Sequence, residues 1–428
     1  MKKKIFAVLL ILTVAASFVM AGGGSDGSSS GKTVVRFFHR WPQDPRYSYF
    51  NDIVAEFEKQ NPDIKIEMDS VINDSYKEKI RVLVSSNDIP DVFCTWSDTF
   101  AYNLVQSGRI KVLNDMLNAD PAFKNSFIQS QIAPFTFDNN TYGLPLTIDG
   151  KVFVYNKEIF AKAGITKVPT TYREFINVLD TLKRAGYDTP ILEGLSDAWT
   201  IAHYLGTIFQ RVIPQSVLDK DYAEKTGEFT DPGYKRSLEI FQQLVGYMGP
   251  NATSIDHTTT RNLFIAGRQP IMYMQLAEFG YVQADNPNLD YGLFNFPAIE
   301  GGAGDPAYLT GAPEGFMMSA TSKVPEAAER FYKFLYTKAN MEKFVKDVGA
   351  PVGVIGAVNT NNAYPKLMEA VEIINNTKAY PWFDNAVNIK IADAFMRGAQ
   401  SVASGDKSID QVLSEVQAAA RVVRSEAK

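Results

Sequence analysis

Three histidines, one cysteine and 48 carboxylates are the groups from which this chain could build an active site. His39, His203 and His257 stand far apart, in no metal-ligand spacing, and Cys94 has no second cysteine beside it. That argues against a zinc site and excludes an intramolecular disulfide. No GxSxG nucleophile turn and no GxxxxGK[ST] phosphate loop occurs. The carboxylates leave one enzymatic option open, because any two acids could face each other across a cleft as a glycosidase pair. The expectation is a protein that is no enzyme and carries no metal or cofactor, with a carbohydrate-active enzyme as the remote alternative.

The aromatic stock points elsewhere. Aromatics make up 12% of the chain, with 20 Tyr and 4 Trp. Most must fill a core, but a surplus suits stacking on sugar rings. Vicinal hydroxyls, in turn, suit carboxylates and amides that contact two groups at once. The formal charge is −5 with the three leader lysines and −8 without them, and no basic cluster stands out, so nucleic acid is not expected as a partner.

Residues 1–21 read as a signal peptide. Lys2, Lys3 and Lys4 precede an apolar run from Ile5 to Val14, and Val19-Met20-Ala21 forms a small-residue cleavage site. Residues 22–32, which include the run GGGSDGSSSG, have almost nothing to bury and read as a flexible tether. The expected location is across the cytoplasmic membrane, periplasmic or extracellular. Gly22 stands where a lipobox would place its Cys, so the chain as written is expected unlipidated. A membrane-anchored lipoprotein is the reading if the native residue there is Cys.

The elements that must position a site alternate between strand and helix. Thr33 to His39 reads as a strand, followed by a helix with Phe50, Ile53, Val54 and Phe57 inward and Asn61-Pro62 as its stop. Ile64, Ile66 and Met68 alternate as a second strand, Ser75 and Glu78 read as a capping box, and Asp91 to Thr95 is a third strand. Lys151 to Tyr155 is a strand, Thr171 and Glu174 cap the next helix, and Gly186 closes it. Pro325 sits in a helix first turn, and two amphipathic helices end the chain. Residues 187–260 read as helices and loops without landmarks. Met272, Met274, Met317 and Met318 read as strand core, and the Lys77 to Lys79 run as a solvated helix face.

Tyr142-Gly-Leu-Pro145, a strand ending in Tyr155-Asn156, and Pro169-Thr-Thr-Tyr-Arg-Glu-Phe175 form a long ordered pattern. It resembles the signature of extracellular solute-binding protein family 1, the carbohydrate-binding components of ABC importers. EFEKQNPDIKIE, SSNDIPDVF and the approach Phe264 to Met274 resemble other parts of that family, over roughly residues 33–420. The resemblance implies an α/β fold of the type II periplasmic-binding-protein kind, two α/β lobes with largely parallel sheets joined by a hinge, with discontinuous domains. It implies 33–140 and 314–355 in lobe 1, and 141–313 and 356–428 in lobe 2. The crossings are placed near 138–142, 310–314 and 351–360.

The same resemblance implies the site. Arg40 and Trp41 follow the first strand, and Trp96 and Asp98 follow the third. Asp149 precedes the Lys151 strand, Gln275 and Glu278 follow the Met272–Met274 strand, and Glu314 stands in the crossing segment Gly311 to Gly315. Each has a structural alternative: Asp149 a turn beside Gly150, Asp98 a helix cap, Arg40 a surface pair, Glu314 a hinge-side pair. Relatives often carry an aromatic in the Gln275 loop, which here is displaced or absent, and many carry a Trp near Glu314, where this chain has the acid. Trp199 and Trp382 read as core. The implied function is capture of a mono- or oligosaccharide between the lobes of a monomer and delivery to ABC permease subunits. A non-sugar solute, such as a polyamine or a glycerophosphodiester, is the alternative on the same fold.

Overall fold

The computed structural model describes residues 31–427, so the signal-peptide reading and most of the tether lie outside the described residues. Among the described residues no helix is long and apolar enough to cross a membrane.

The chain opens as the alternation predicts. Strand β1 (Thr33–His39) is followed by helix α1 (Arg46–Gln60), β2 (Ile64–Ser70), α2 (Asn73–Ser86) and β3 (Val92–Trp96). Ile64 and Ile66 are buried while Lys65 and Glu67 face solvent, the period-two pattern of a half-buried strand. Helix α1 buries Phe50, Ile53 and Phe57 and ends at Asn61. The expected capping box at Ser75 is not formed. Helix α2 begins two residues earlier, at Asn73, so Ser75 is already inside its first turn. Thr171 does cap its helix, Tyr172–Arg184, reciprocally with Glu174, and Gly186 follows at φ 95.

Two sheets carry the molecule. The first runs β2, β1, β3, Glu314–Met318, Gly143–Thr147; the second runs Tyr291–Phe294, Lys151–Asn156, Ile271–Gln275, Ile191–Leu192. Neither is largely parallel. β1 pairs in parallel with β2 and β3, but Glu314–Met318 runs antiparallel to both its neighbours. In the second sheet only Ile191–Leu192 pairs in parallel. The reason is connectivity: a strand arriving from the opposite sheet enters at the end where the others finish.

Gly143–Thr147 thus belongs to the first sheet, although the expected boundary at 140/141 put it in the second lobe. The chain leaves that sheet at 148–150. Ile148 and Gly150 are too near the YGLP turn for sequence pattern to separate them from it. The return at 311–313 packs on this departure. A Cβ on Gly311 would meet the Asp149 carbonyl at 2.2 Å, so the two crossing strands touch backbone to backbone. Helix Pro365–Asn376 also bridges: Leu367 packs in the first core, Ala370 against the back of the second sheet. The boundary at 355/356 falls short of it.

Each sheet has its own core. Phe37, Phe50, Phe93, Phe316 and Phe331 anchor the first, and Phe153, Phe175, Tyr204, Phe209 and Tyr273 the second. The four methionines expected in strands are all buried, as is Cys94. Residues 187–260 hold two long helices, Ala198–Val212 and Pro232–Met248, with a short one, Gln215–Tyr222, between them, and Ala198–Val212 is the buried spine of the second lobe.

Candidate ligand cleft

Strand ends from both sheets converge on one gap. His39 and Trp96 finish strands of the first sheet there, and Glu314 pairs with both Trp96 and Thr147. Lys151 and Gln275 pair at the facing end of the second. Open α/β sheets bind ligands at such ends because the connecting loops turn outward there. Between them lies a cavity of about 500 Å³. All four tryptophans of the chain line it: Trp41 and Trp96 from the first lobe, Trp199 and Trp382 from the second. Trp96 and Trp199 are half-buried, while Trp41 and Trp382 are nearly covered.

Beneath the aromatics sit two charge networks. In the first lobe, Glu314 accepts from Arg40 Nε at 2.8 Å and from Thr147 Oγ1 at 3.1 Å, and Arg46 Nη1 lies 3.8 Å away. The Arg40 guanidinium stands 4.9 Å from the Trp41 ring and 5.0 Å from the Trp96 ring. In the second lobe five groups alternate in sign. Lys151 Nζ is 3.2 Å from Glu193, His257 Nδ1 is 2.8 Å from Glu193, and His257 Nε2 is 2.8 Å from Glu278. Arg261 Nη1 closes the chain at 2.8 Å from Glu278. Burial works against charge on His257, but Glu278 and Glu193 outweigh it and lift its pKa to about 9. Burial would also raise Glu278, yet His257 and Arg261 hold it below the usual carboxylate range.

Several polar atoms at the cavity have no partner within the protein: Trp41 Nε1, Arg46 Nε, His203 Nδ1, Arg261 Nε and Asp384 Oδ1. Buried polar atoms are nearly always bonded, so these five fit a site that a polar ligand completes, although six others among the described residues, Tyr204 Oη and Arg211 Nε among them, belong to residues that do not line the cavity. Among the described residues no group of three or more His, Cys, Asp or Glu is placed to hold a metal ion.

A sequence model of bacterial extracellular solute-binding proteins matches residues 41–342. The chain belongs to the bacterial extracellular solute-binding protein family. The multiple sugar-binding protein of Streptococcus mutans is 25% identical over 378 residues, covering 83% of this chain and 83% of its own length. The melibiose/raffinose/stachyose-binding protein of Bacillus subtilis is 25% identical over 382 residues, covering 86% and 84%. The solved structure of a chitin oligosaccharide binding protein matches with a TM-score of 0.84 at 23% identity, over 92% of this chain and 100% of that one. That likeness shows the fold, the type II periplasmic-binding architecture. Members of the family are solute-binding proteins rather than enzymes.

Against this family background, seven of the eight residues singled out from the sequence line the cavity: Arg40, Trp41, Trp96, Asp149, Gln275, Glu278 and Glu314. Asp98 does not. It opens the helix Asp98–Val105 at φ 59, accepts from Ser97 Oγ at 2.7 Å, and is pushed by burial up to about 6. Lining the cavity is not the same as facing a ligand freely. Asp149 accepts from Gly150 N and Ala277 N on one oxygen and from Gln275 Nε2, at 2.7 Å, on the other. Burial, with the nearby Glu314 charge, carries it up to about 7 against those hydrogen bonds. Glu278 is committed to His257 and Arg261. Trp41 stacks on Phe50 at 5.4 Å and is flanked by Arg40 and Arg46.

Sequence reading missed the second-lobe wall. Trp199 and Trp382, read as core, both reach the cavity, and Trp382 stacks on His203 at 3.9 Å. Lys77, read as part of a solvated face, pairs with Asp384 at 2.8 Å with only 14% of its side chain exposed. One signal was available: Trp199 and His203, like His257 and Arg261, are four residues apart and share a helix face.

Proposed function

We propose that this protein captures a carbohydrate between its lobes and delivers it, as a monomer, to the permease subunits of an ABC importer. One observation carries the reading: every tryptophan of the chain lines a single interlobe cavity that also holds unpartnered polar atoms. Half-buried Trp96 and Trp199 offer ring faces to a sugar, and Arg46, Arg261 and His203 offer hydrogen bonds to its hydroxyls. The lobes, in this reading 33–147 with 314–367 and 151–310 with 370–427, close over the ligand about the paired crossings at 148–150 and 311–313. Ligand binding favours the closed form by its differential affinity for it. The names of the Streptococcus and Bacillus relatives support a mono- to oligosaccharide.

The charged groups favour a neutral ligand. Glu314, Glu278 and Asp149 are occupied by protein donors, which a polyamine would need free. Arg40 and Lys151 are paired to acids, which a glycerophosphodiester would need free. Thermal denaturation against neutral sugars, acidic sugars, polyamines and glycerophosphodiesters tests the reading. A ligand at 100 times its Kd stabilises by about 2.7 kcal/mol. Stabilisation by a polyamine or phosphodiester alone would replace it, and turnover of an oligosaccharide on incubation would make the protein an enzyme.

A further inference from the structure

Asp384 is set apart from the other described acids of the cleft by having one oxygen engaged and the other buried without a partner. Its Oδ2 accepts from Lys77 Nζ at 2.8 Å, and its Oδ1 is buried without a partner. The side chain is 5% exposed and lines the cavity. Lys77 belongs to α2 of the first lobe, while Asp384 follows Trp382 on the second. The pair therefore spans the cleft. A second bond joins the two lobes two residues further on, from Thr99 Oγ1 of the first lobe to the Ala386 carbonyl at 3.0 Å. Lys77 is held from behind by the Trp96 ring, 4.8 Å away.

We propose that Asp384 is a ligand-binding residue that also latches the cleft: Oδ2 holds Lys77, and Oδ1 accepts a hydroxyl of the bound sugar. A buried carboxylate oxygen with no donor is the acceptor that a hydroxyl completes. Because both oxygens belong to one rigid group, an occupied Oδ1 holds Oδ2 where Lys77 meets it only when the lobes are closed. Ligand occupancy and closure are thereby linked through a single side chain. The acceptor role rests on the carbohydrate reading, whereas the latch does not.

Two measurements separate these parts. Small-angle scattering without sugar compares wild type with Lys77→Gln, Asp384→Asn and the double variant, which leaves no unpaired buried charge. Lys79→Gln, which removes the exposed Lys79–Asp69 pair and the Lys79 contact with the Phe38 ring and touches no residue lining the cavity, is the control. All three cleft variants should have a larger radius of gyration than wild type, and the control should not. An unchanged radius in the double variant overturns the latch. Calorimetric titration with raffinose, stachyose and chitotriose then tests the acceptor. Asp384→Ala, which removes both acceptor oxygens, should weaken whichever sugar wild type binds by about tenfold more than Lys77→Gln does. Equal losses overturn the acceptor role and leave the carbohydrate reading standing. If wild type binds none of the three and no other sugar stabilises it, the carbohydrate reading falls and takes the acceptor role with it.

Discussion

His257 meets Glu278 at 2.8 Å, and this contact ties the helix His257–Ile265 to the turn after the strand Ile271–Gln275. With Glu193 on its other nitrogen, the imidazole has a carboxylate on each side and carries its proton on the folded protein. It is the central link of a five-group network that forms the floor of the cleft.

The consequence is an alkaline loss of stability. His257 has a folded pKa of about 9 against 6.5 for the free side chain. A raised pKa contributes stability that is full below 6.5 and lost as pH rises through 9, on the order of 3 kcal/mol in all. The depressed Glu278 acts in the opposite direction, contributing above its ordinary value of 4.5 and losing that contribution as pH falls below it. Taken by themselves, these two groups hold stability level between about pH 4.5 and 6.5 and add an alkaline limb above it. His257→Gln should flatten the alkaline limb; an unaltered limb would place the titrating group elsewhere.

Glu314 should matter more for folding than its place at a cleft suggests. Removing it leaves Arg40 and Arg46 without their counter-charge, and Arg46 is 5% exposed. Breaking a buried pair from one side typically costs about 3–5 kcal/mol. Glu314→Ala should show a loss of that size in denaturant unfolding. A change within about 0.5 kcal/mol, the range of an ordinary surface substitution, would mean the arginines find other partners.

Asp149 should titrate near neutrality. Its folded pKa of about 7 exceeds the ordinary 3.8, so its contribution to stability is full at acid pH and lost as pH rises through 7. Asp149→Asn keeps an acceptor for Ala277 N and removes the charge. It should raise the melting temperature relative to wild type more at pH 8 than at pH 5. The same difference at both values would assign the effect to hydrogen bonding alone.

Ligand binding should report itself in intrinsic fluorescence, since no tryptophan lies away from the cavity. Trp199→Ala should weaken binding by about tenfold with a smaller loss of stability than a fully buried ring, because Trp199 is only partly buried. Trp382→Ala should also destabilise, by about 3–5 kcal/mol, because the buried ring packs on His203. Calorimetry and thermal melts on both variants separate the two roles.

Local pattern alone was enough to place β1, α1, β2 and β3, the Thr171–Glu174 cap and the closing helices, because period, caps and stop residues are properties of neighbours in sequence. The family resemblance, rather than local pattern, marked the loops after strands as the places for a site, and seven of its eight candidates line one cavity. What each of them does there depends on groups distant in sequence. Asp149 is taken up by Gln275 and Ala277, Glu278 by His257, and Glu314 by Arg40, 274 residues away. The wall bearing Trp199, Trp382 and Asp384 was illegible for the same reason. A tryptophan on a buried helix and one on a cleft helix have the same local sequence signature, and only the packing of two lobes against each other decides which it is. Residue types and short-range spacing thus determined the elements and where their ends could gather. Tertiary structure decided which charges are paired, which polar atoms are left without partners, and which aromatic faces meet the cavity, because those depend on distances that no local pattern contains.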